Sequence, residues 1–228
     1  DADSYHAEHP EYLSSFYWCP EMLHEAEAQL LSDVSSATVL ELGCGSAPCT
    51  QWLQGRARFA TGFDLSSGML SHAESGLPLV QADALALPYR DESFDVVFSA
   101  FGALPFVANL DQALNEVHRV LHPHGRFVFS VPHPMRWVFP DDPQDLTAQL
   151  SYFERAYLEQ DDSGELSYAE FHRTMGDWVR ALQVRGAFEI RNLIEPEWPE
   201  ENTLTWGQWS PERGAIFPGT AIFVCEAR

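Results

Sequence analysis

Three acids stand at the ends of three successive apolar segments: Glu41 within Val39-Leu40-Glu41-Leu42, Asp64 near the end of 59–65, and Asp83 just after Leu79-Val80-Gln81. Gly43-Cys44-Gly45 follows the first segment, and its two glycines supply a turn whose backbone a ligand can approach closely. A phosphate-binding loop would bring amide donors and a lysine to such a turn, whereas a carboxylate attracts a cationic or hydroxyl-rich ligand. An acid about twenty residues beyond the turn, at the end of a second strand, is the usual means of accepting both hydroxyls of a ribose. Asp83 has two readings: it accepts from an exocyclic amine, or it caps a helix starting at Ala84. One extended nucleoside-type ligand could touch all three acids.

The rest of the composition narrows the partners. In 228 residues the formal net charge is -21, and all 13 basic residues are arginine. Nucleic acid and anionic membrane surfaces are repelled by that average field, and no basic stripe with interleaved aromatics overrides it locally. Without lysine there is no Schiff base and no P-loop. The four cysteines, Cys19, Cys44, Cys49 and Cys225, form no Cys-x-x-Cys pair, and no metal-ligand cluster accompanies them, so a reduced, cytoplasmic protein without a metal is expected. No apolar run reaches membrane-spanning length. The oligomeric state is not written in the chain.

The elements that must carry these residues alternate. Strands are expected near 39–42, 59–65, 79–81, 94–100 and 126–131, with helices beginning at Thr50, capped by Ser66 or Ser67, and spanning about 110–121. Residues 20–31, with Met22, Leu23, Ala26, Leu30 and Leu31 at helical spacing, read as an amphipathic helix. After Pro132 the pattern breaks, and it resumes with a helix at 174–185 and strands at 188–194 and 216–226, the last one antiparallel. Right-handed crossovers then give a parallel sheet with its ligand at the carboxyl ends of the strands. The expected organisation is one domain over 1–228, with 1–36 as an N-terminal helical segment or lid and 134–173 as a substrate cap.

Val39 to Gly45 with Asp64, Ala82-Asp83-Ala84, Leu87-Pro88, Phe94-Asp95-Val96-Val97, and Glu116-Val117-His118-Arg119-Val120-Leu121 before Gly125 together resemble the motifs of class I S-adenosylmethionine-dependent methyltransferases. The nearest branch is the type 11 group, which includes quinone-biosynthesis enzymes. The resemblance covers roughly residues 37 to 133, and its motifs are specific as a set although each is weak alone. It implies an α/β, Rossmann-like, seven-stranded, mostly parallel sheet with the last strand antiparallel, helices on both faces, and a cap insertion after strand five. It also implies methyl transfer to a small organic acceptor. Gly43, Cys44 and Gly45 would border the methionine part of the cofactor, Glu41 would serve its ammonium group, and Asp64 would hold the ribose. Leu65 and Met69 would flank the adenine, Asp83 and Ala84 would read its edge, and Ser99 and Ala100 would lie near the methyl group. The chain departs from the family at Ala47-Pro48, where a third glycine is common, and at His124.

His133, immediately after the fifth strand, is the candidate general base, with a structural role as the alternative. Tyr17, Trp18, Arg136, Trp137, His172 and Arg173 are the candidate acceptor residues, and 195–199 is a further candidate rim. Two rival functions share the strand, glycine turn and later acid: a nicotinamide-dependent oxidoreductase and a non-catalytic cofactor-binding relative. Ala47-Pro48 and the Glu41 carboxylate argue against the first.

Overall fold

The computed structural model describes residues 2–161 and 163–228. Nine strands occur among them, β1 (Thr38–Leu42), β2 (Phe59–Asp64), β3 (Leu79–Gln81), β4 (Phe94–Ala100), β5 (Leu121–Pro132), β6 (Ala156–Gln160), β7 (Leu166–Phe171), β8 (Phe188–Ile194) and β9 (Thr220–Ala227). Seven of them form one sheet in the order β3-β2-β1-β4-β5-β9-β8, and β6 and β7 pair as a separate antiparallel hairpin. The first five strands of the large sheet run parallel, while β9 inserts antiparallel between β5 and β8. The expected seven-stranded α/β sheet is therefore the observed one.

Side-chain alternation explains its two faces. Leu40, Val97, Phe127, Phe129 and Phe223 pack into one core, and their neighbours Val39, Phe98, Val128, Ile222 and Val224 pack into the other. Both faces are buried, which is why these strands read as continuous apolar runs. The first core is closed by the helix Leu110–Val120, whose Leu110, Leu114 and Val117 lie buried, and by the helix Met175–Gln183, which contributes Trp178 and Leu182. Asn109 caps the former by accepting from Gln112 N, and a reciprocal Thr174–Asp177 capping box starts the latter.

One expected helix is absent. Across 20–31 only the single turn Glu25–Ala28 is helical, and Met22, Gln29 and Ser32 take positive φ values. The cause is Glu25, which periodicity assigns to the polar face. Its carboxylate turns inward and accepts from Trp18 Nε1 and from the backbone N–H groups of Leu30 and Leu31. Those contacts hold the following residues in a loop that a continuing helix could not form.

The strand order changes direction between β1 and β4, with β1 pairing to β2 on one side and β4 on the other. A crevice opens there at the carboxyl ends of the strands. It is covered by the N-terminal segment, which carries the helix Ala2–Glu8, by the β6–β7 hairpin, and by residues around 206–209 from the β8–β9 connection.

Candidate functional site

At the end of β1 the chain turns through Gly43 and Gly45, with φ of 64° and 55°. Gly43 is bare for a reason other than ligand approach: a Cβ there would run into the backbone nitrogen of Ala103. Gly102 is its counterpart, since a Cβ on it would sit 2.5 Å from Gly43 O and 2.8 Å from Leu42 O. Two loops, after β1 and after β4, are thus pressed together at the crevice floor. Only Gly45 leaves its open side toward a candidate ligand contact, with Met69 Cε 3.0 Å from the position a Cβ would occupy.

Glu41 is buried beneath this turn. It accepts from Thr50 N (2.9 Å) and Thr50 Oγ1 (2.5 Å), both on the helix Pro48–Leu53. Burial raises its pKa to about 7, against the lowering effect of the Thr50 hydrogen bonds. Asp64 sits at the end of β2 with Oδ2 accepting from Gly45 N and Oδ1 from Ser66 N, each at 2.8 Å. Both oxygens keep a lone pair for a further donor. Ser66 caps the short helix Ser67–Leu70, which brings Met69 to the crevice beside the largely exposed Leu65. Asp83 caps no helix: Oδ1 accepts from Leu85 N at 2.9 Å within a tight turn whose Ala86 N bonds back to Asp83 O.

These residues line one cavity of about 940 Å³. Glu41, Gly43, Cys44, Gly45, Asp64 and Met69 form one end, and Arg136, Tyr168, Glu170 and Trp209 belong to the other segments around it. Aromatic rings make the wall between them: Trp206 lies 4.0 Å from His9 and 4.8 Å from Tyr12, ring centre to ring centre. The Tyr5 and Tyr12 hydroxyls are pushed above their ordinary pKa by burial. Glu170 accepts from Tyr168 at 3.0 Å, and burial raises its pKa against the opposing charge of Arg136.

Residues 40–129, which hold the glycine turn, Asp64 and Asp83, match the family described as "Methyltransferase domain". An S-adenosylmethionine-dependent methyltransferase from Mesorhizobium loti superposes with a TM-score of 0.72 at 25% identity, over 91% of this chain and 98% of that one. The chain carries a class I, type 11 methyltransferase domain. A fatty-acid O-methyltransferase of Mycolicibacterium smegmatis is 35% identical over 53% of this chain and 45% of that protein. A demethylmenaquinone methyltransferase of Streptomyces avermitilis is 36% identical over 45% of this chain and 48% of that protein. The chain thus matches about half the length of these curated relatives.

The cofactor of this methyltransferase family is S-adenosylmethionine, and the donor set suits it. A buried carboxylate for an ammonium group, a strand-end carboxylate with two free lone pairs for vicinal hydroxyls, and an acid beside an amine edge open into a single cavity. Among the described residues no cluster of potential metal ligands occurs, all four cysteines are buried and free of disulfides, and no helix is long and apolar enough to cross a membrane.

Of the residues the sequence nominated, Glu41, Gly43, Cys44, Gly45, Asp64, Leu65, Met69, Asp83, Ala84, Ala100, Tyr17 and Arg136 line this cavity. The others do not. Ser99 is buried, its hydroxyl donating to Leu42 O at 2.9 Å and tying β4 to β1. Trp18 is core, anchored to Glu25. Arg173 spends its guanidinium on the carbonyls of Leu104, Val107 and Phe171. Trp137 stacks on His172 at 3.7 Å and on the Arg136 guanidinium, so this pair backs Arg136 instead of facing the cavity. His133 is 5% exposed and turned away: Nδ1 accepts from Met135 N (3.1 Å) and Nε2 meets Glu195 Oε1 (2.9 Å). Burial lowers its pKa, against the raising effect of Glu195. With Glu195 engaged there, 195–199 adds nothing to the cavity wall.

Sequence reasoning missed Gly102, Tyr168, Glu170, Trp206 and Trp209 as cavity residues. A signal existed for some of them. Tyr168 and Glu170 are two apart on β7 and so share a face, and Trp206-Gly207-Gln208-Trp209 places two indoles across a glycine turn with φ 54°.

Proposed function

We propose that this chain transfers the methyl group of S-adenosylmethionine to a small organic acceptor. The observation that carries the reading is the convergence of Glu41, Asp64 and the glycine turn on one end of a cavity whose remaining volume is walled by aromatic residues. When bound, S-adenosylmethionine supplies a methyl carbon already activated by a positive sulfur. Glu41 would hold the ammonium group, Asp64 the ribose hydroxyls and Asp83 the adenine edge, with Leu65 and Met69 against the base. The chain's further contribution is orientation and water exclusion, through Tyr5, Tyr12 and Trp206.

A dedicated histidine base is no part of this reading, because both nitrogens of His133 are engaged outside the cavity. Glu170, buried and hydrogen-bonded to Tyr168, is the cavity carboxylate left to accept a proton from an acceptor that loses one.

Calorimetric titration with S-adenosylhomocysteine and with NAD separates this reading from an oxidoreductase. Micromolar binding of the former with none of the latter is expected, and the reverse would overturn it. Methyl release from labelled cofactor with a metabolite panel then separates an enzyme from a non-catalytic relative.

A further inference from the structure

Two other enclosed arginines give their terminal guanidinium nitrogens to backbone carbonyls. Arg213 donates to the carbonyls of Gln208, Pro140, Asp142 and Asp145 at 3.2, 2.7, 2.6 and 3.0 Å. Arg173 does the same with Leu104, Val107 and Phe171. The Arg136 side chain is only 13% exposed, yet no hydrogen bond leaves its guanidinium among the described residues. Its nearest carboxylate oxygen, Glu170 Oε1, lies 3.9 Å from Nη1, beyond hydrogen-bond reach. A group that stays charged at neutral pH thus has a buried Nε with no partner and terminal nitrogens that make no hydrogen bond among the described residues.

The side chain is not loose. Its Cζ sits 4.1 Å from the Trp137 ring centre and 3.9 Å from that of Trp209, so two indole faces fix the plane of the fork. Among the described residues lining the 940 Å³ cavity, Arg136 is the single cation, whereas Glu41, Asp64, Asp83 and Glu170 supply acids.

Resting on the methyltransferase reading, we infer that Arg136 anchors the methyl acceptor by a carboxylate, carried on an apolar or aromatic body. A planar guanidinium matches a carboxylate with two parallel N–H···O bonds. One cation among four acids balances one negative charge, so a monoanion is favoured over a phosphate monoester. The aromatic wall of Tyr12, Tyr168 and Trp206 suits the body.

The test compares matched probes on the intact chain by calorimetry: phenylacetate against 2-phenylethanol, and octanoate against octan-1-ol, each with and without saturating S-adenosylhomocysteine. The wild type is expected to bind each acid at least about 10-fold more tightly than its alcohol. Arg136→Met should abolish that preference and Arg136→Lys should restore part of it. Equal binding of acid and alcohol, absence of binding by every probe, or a preference that survives in Arg136→Met would overturn the inference. If Arg136→Met does not fold by circular dichroism, the wild-type acid-to-alcohol ratio decides alone. A separate titration with S-adenosylhomocysteine reports on the methyltransferase reading, so the two can fail independently.

Discussion

The carboxylate of Asp64 accepts a 2.8 Å hydrogen bond from the backbone N–H of Gly45, joining the end of β2 to the glycine turn after β1. Residues nineteen apart in sequence thereby become one structural element at the cavity. The bond costs the carboxylate one lone pair and sets its plane, and a second bond from Ser66 N fixes the other oxygen.

Asp64→Asn tests that element. One amide nitrogen would then face a backbone donor, so affinity for S-adenosylhomocysteine should fall by about 10- to 100-fold and stability by about 1 kcal/mol. Titration calorimetry and thermal unfolding measure the two effects; full retention of affinity would remove Asp64 from the ribose site.

Glu41→Gln should separate stability from binding. Burial raises the folded-state pKa of Glu41 to about 7, above its ordinary value of 4.5, so the folded state holds a proton that the unfolded chain releases first. Stability contributed by this group is therefore present below pH 4.5 and is lost as pH rises toward 7. The glutamine variant, which keeps an acceptor for Thr50, should gain stability over the wild type by on the order of 2 kcal/mol above pH 7 and nothing at pH 4. Its affinity for a ligand carrying an ammonium group should drop. Denaturant midpoints at both pH values, with the ligand titration, decide the matter.

His133→Ala should leave turnover and cofactor affinity within about two-fold of wild type while lowering stability by about 1–2 kcal/mol, the cost of a lost cap and a buried partner. Because the histidine pKa is lowered in the fold, its contribution is present at pH values above the unfolded pKa of 6.5 and is lost as pH falls through the lower, folded value. A selective loss of turnover would place His133 back in the mechanism.

Arg173→Met should destabilise the fold without changing acceptor preference. Its guanidinium ties the backbone at Leu104 and Val107 to the end of the β6–β7 hairpin, and losing charged hydrogen bonds to buried carbonyls costs about 2–3 kcal/mol. Chemical denaturation together with the acid-to-alcohol ratio distinguishes this residue from Arg136.

The sheet was legible along the chain because its strands are short apolar runs punctuated by glycine, proline and acids, and each run can bury itself only between two helical layers. The acids at strand ends were legible for the same reason, since topology sends every parallel strand's carboxyl end to one edge. The segment 20–31 misled because periodicity counts apolar positions but cannot see that Glu25 finds three donors inside the core.

Local sequence thus determined the order of elements and the acids at the strand ends, both of which depend on neighbours within a few residues or on a shared strand end. Tertiary structure decided which of two similar loop arginines stays free. Arg173 meets carbonyls from residues 104–108 and is spent there, whereas Arg136 meets the faces of Trp137 and Trp209 and keeps its donors. Side-chain direction after β5 is set by partners up to 73 residues away, from the 3.9 Å approach of Trp209 to Arg136 to the closure of Glu195 on His133. No local pattern encodes those meetings, because the energy that fixes them arises only once the distant segments are packed together.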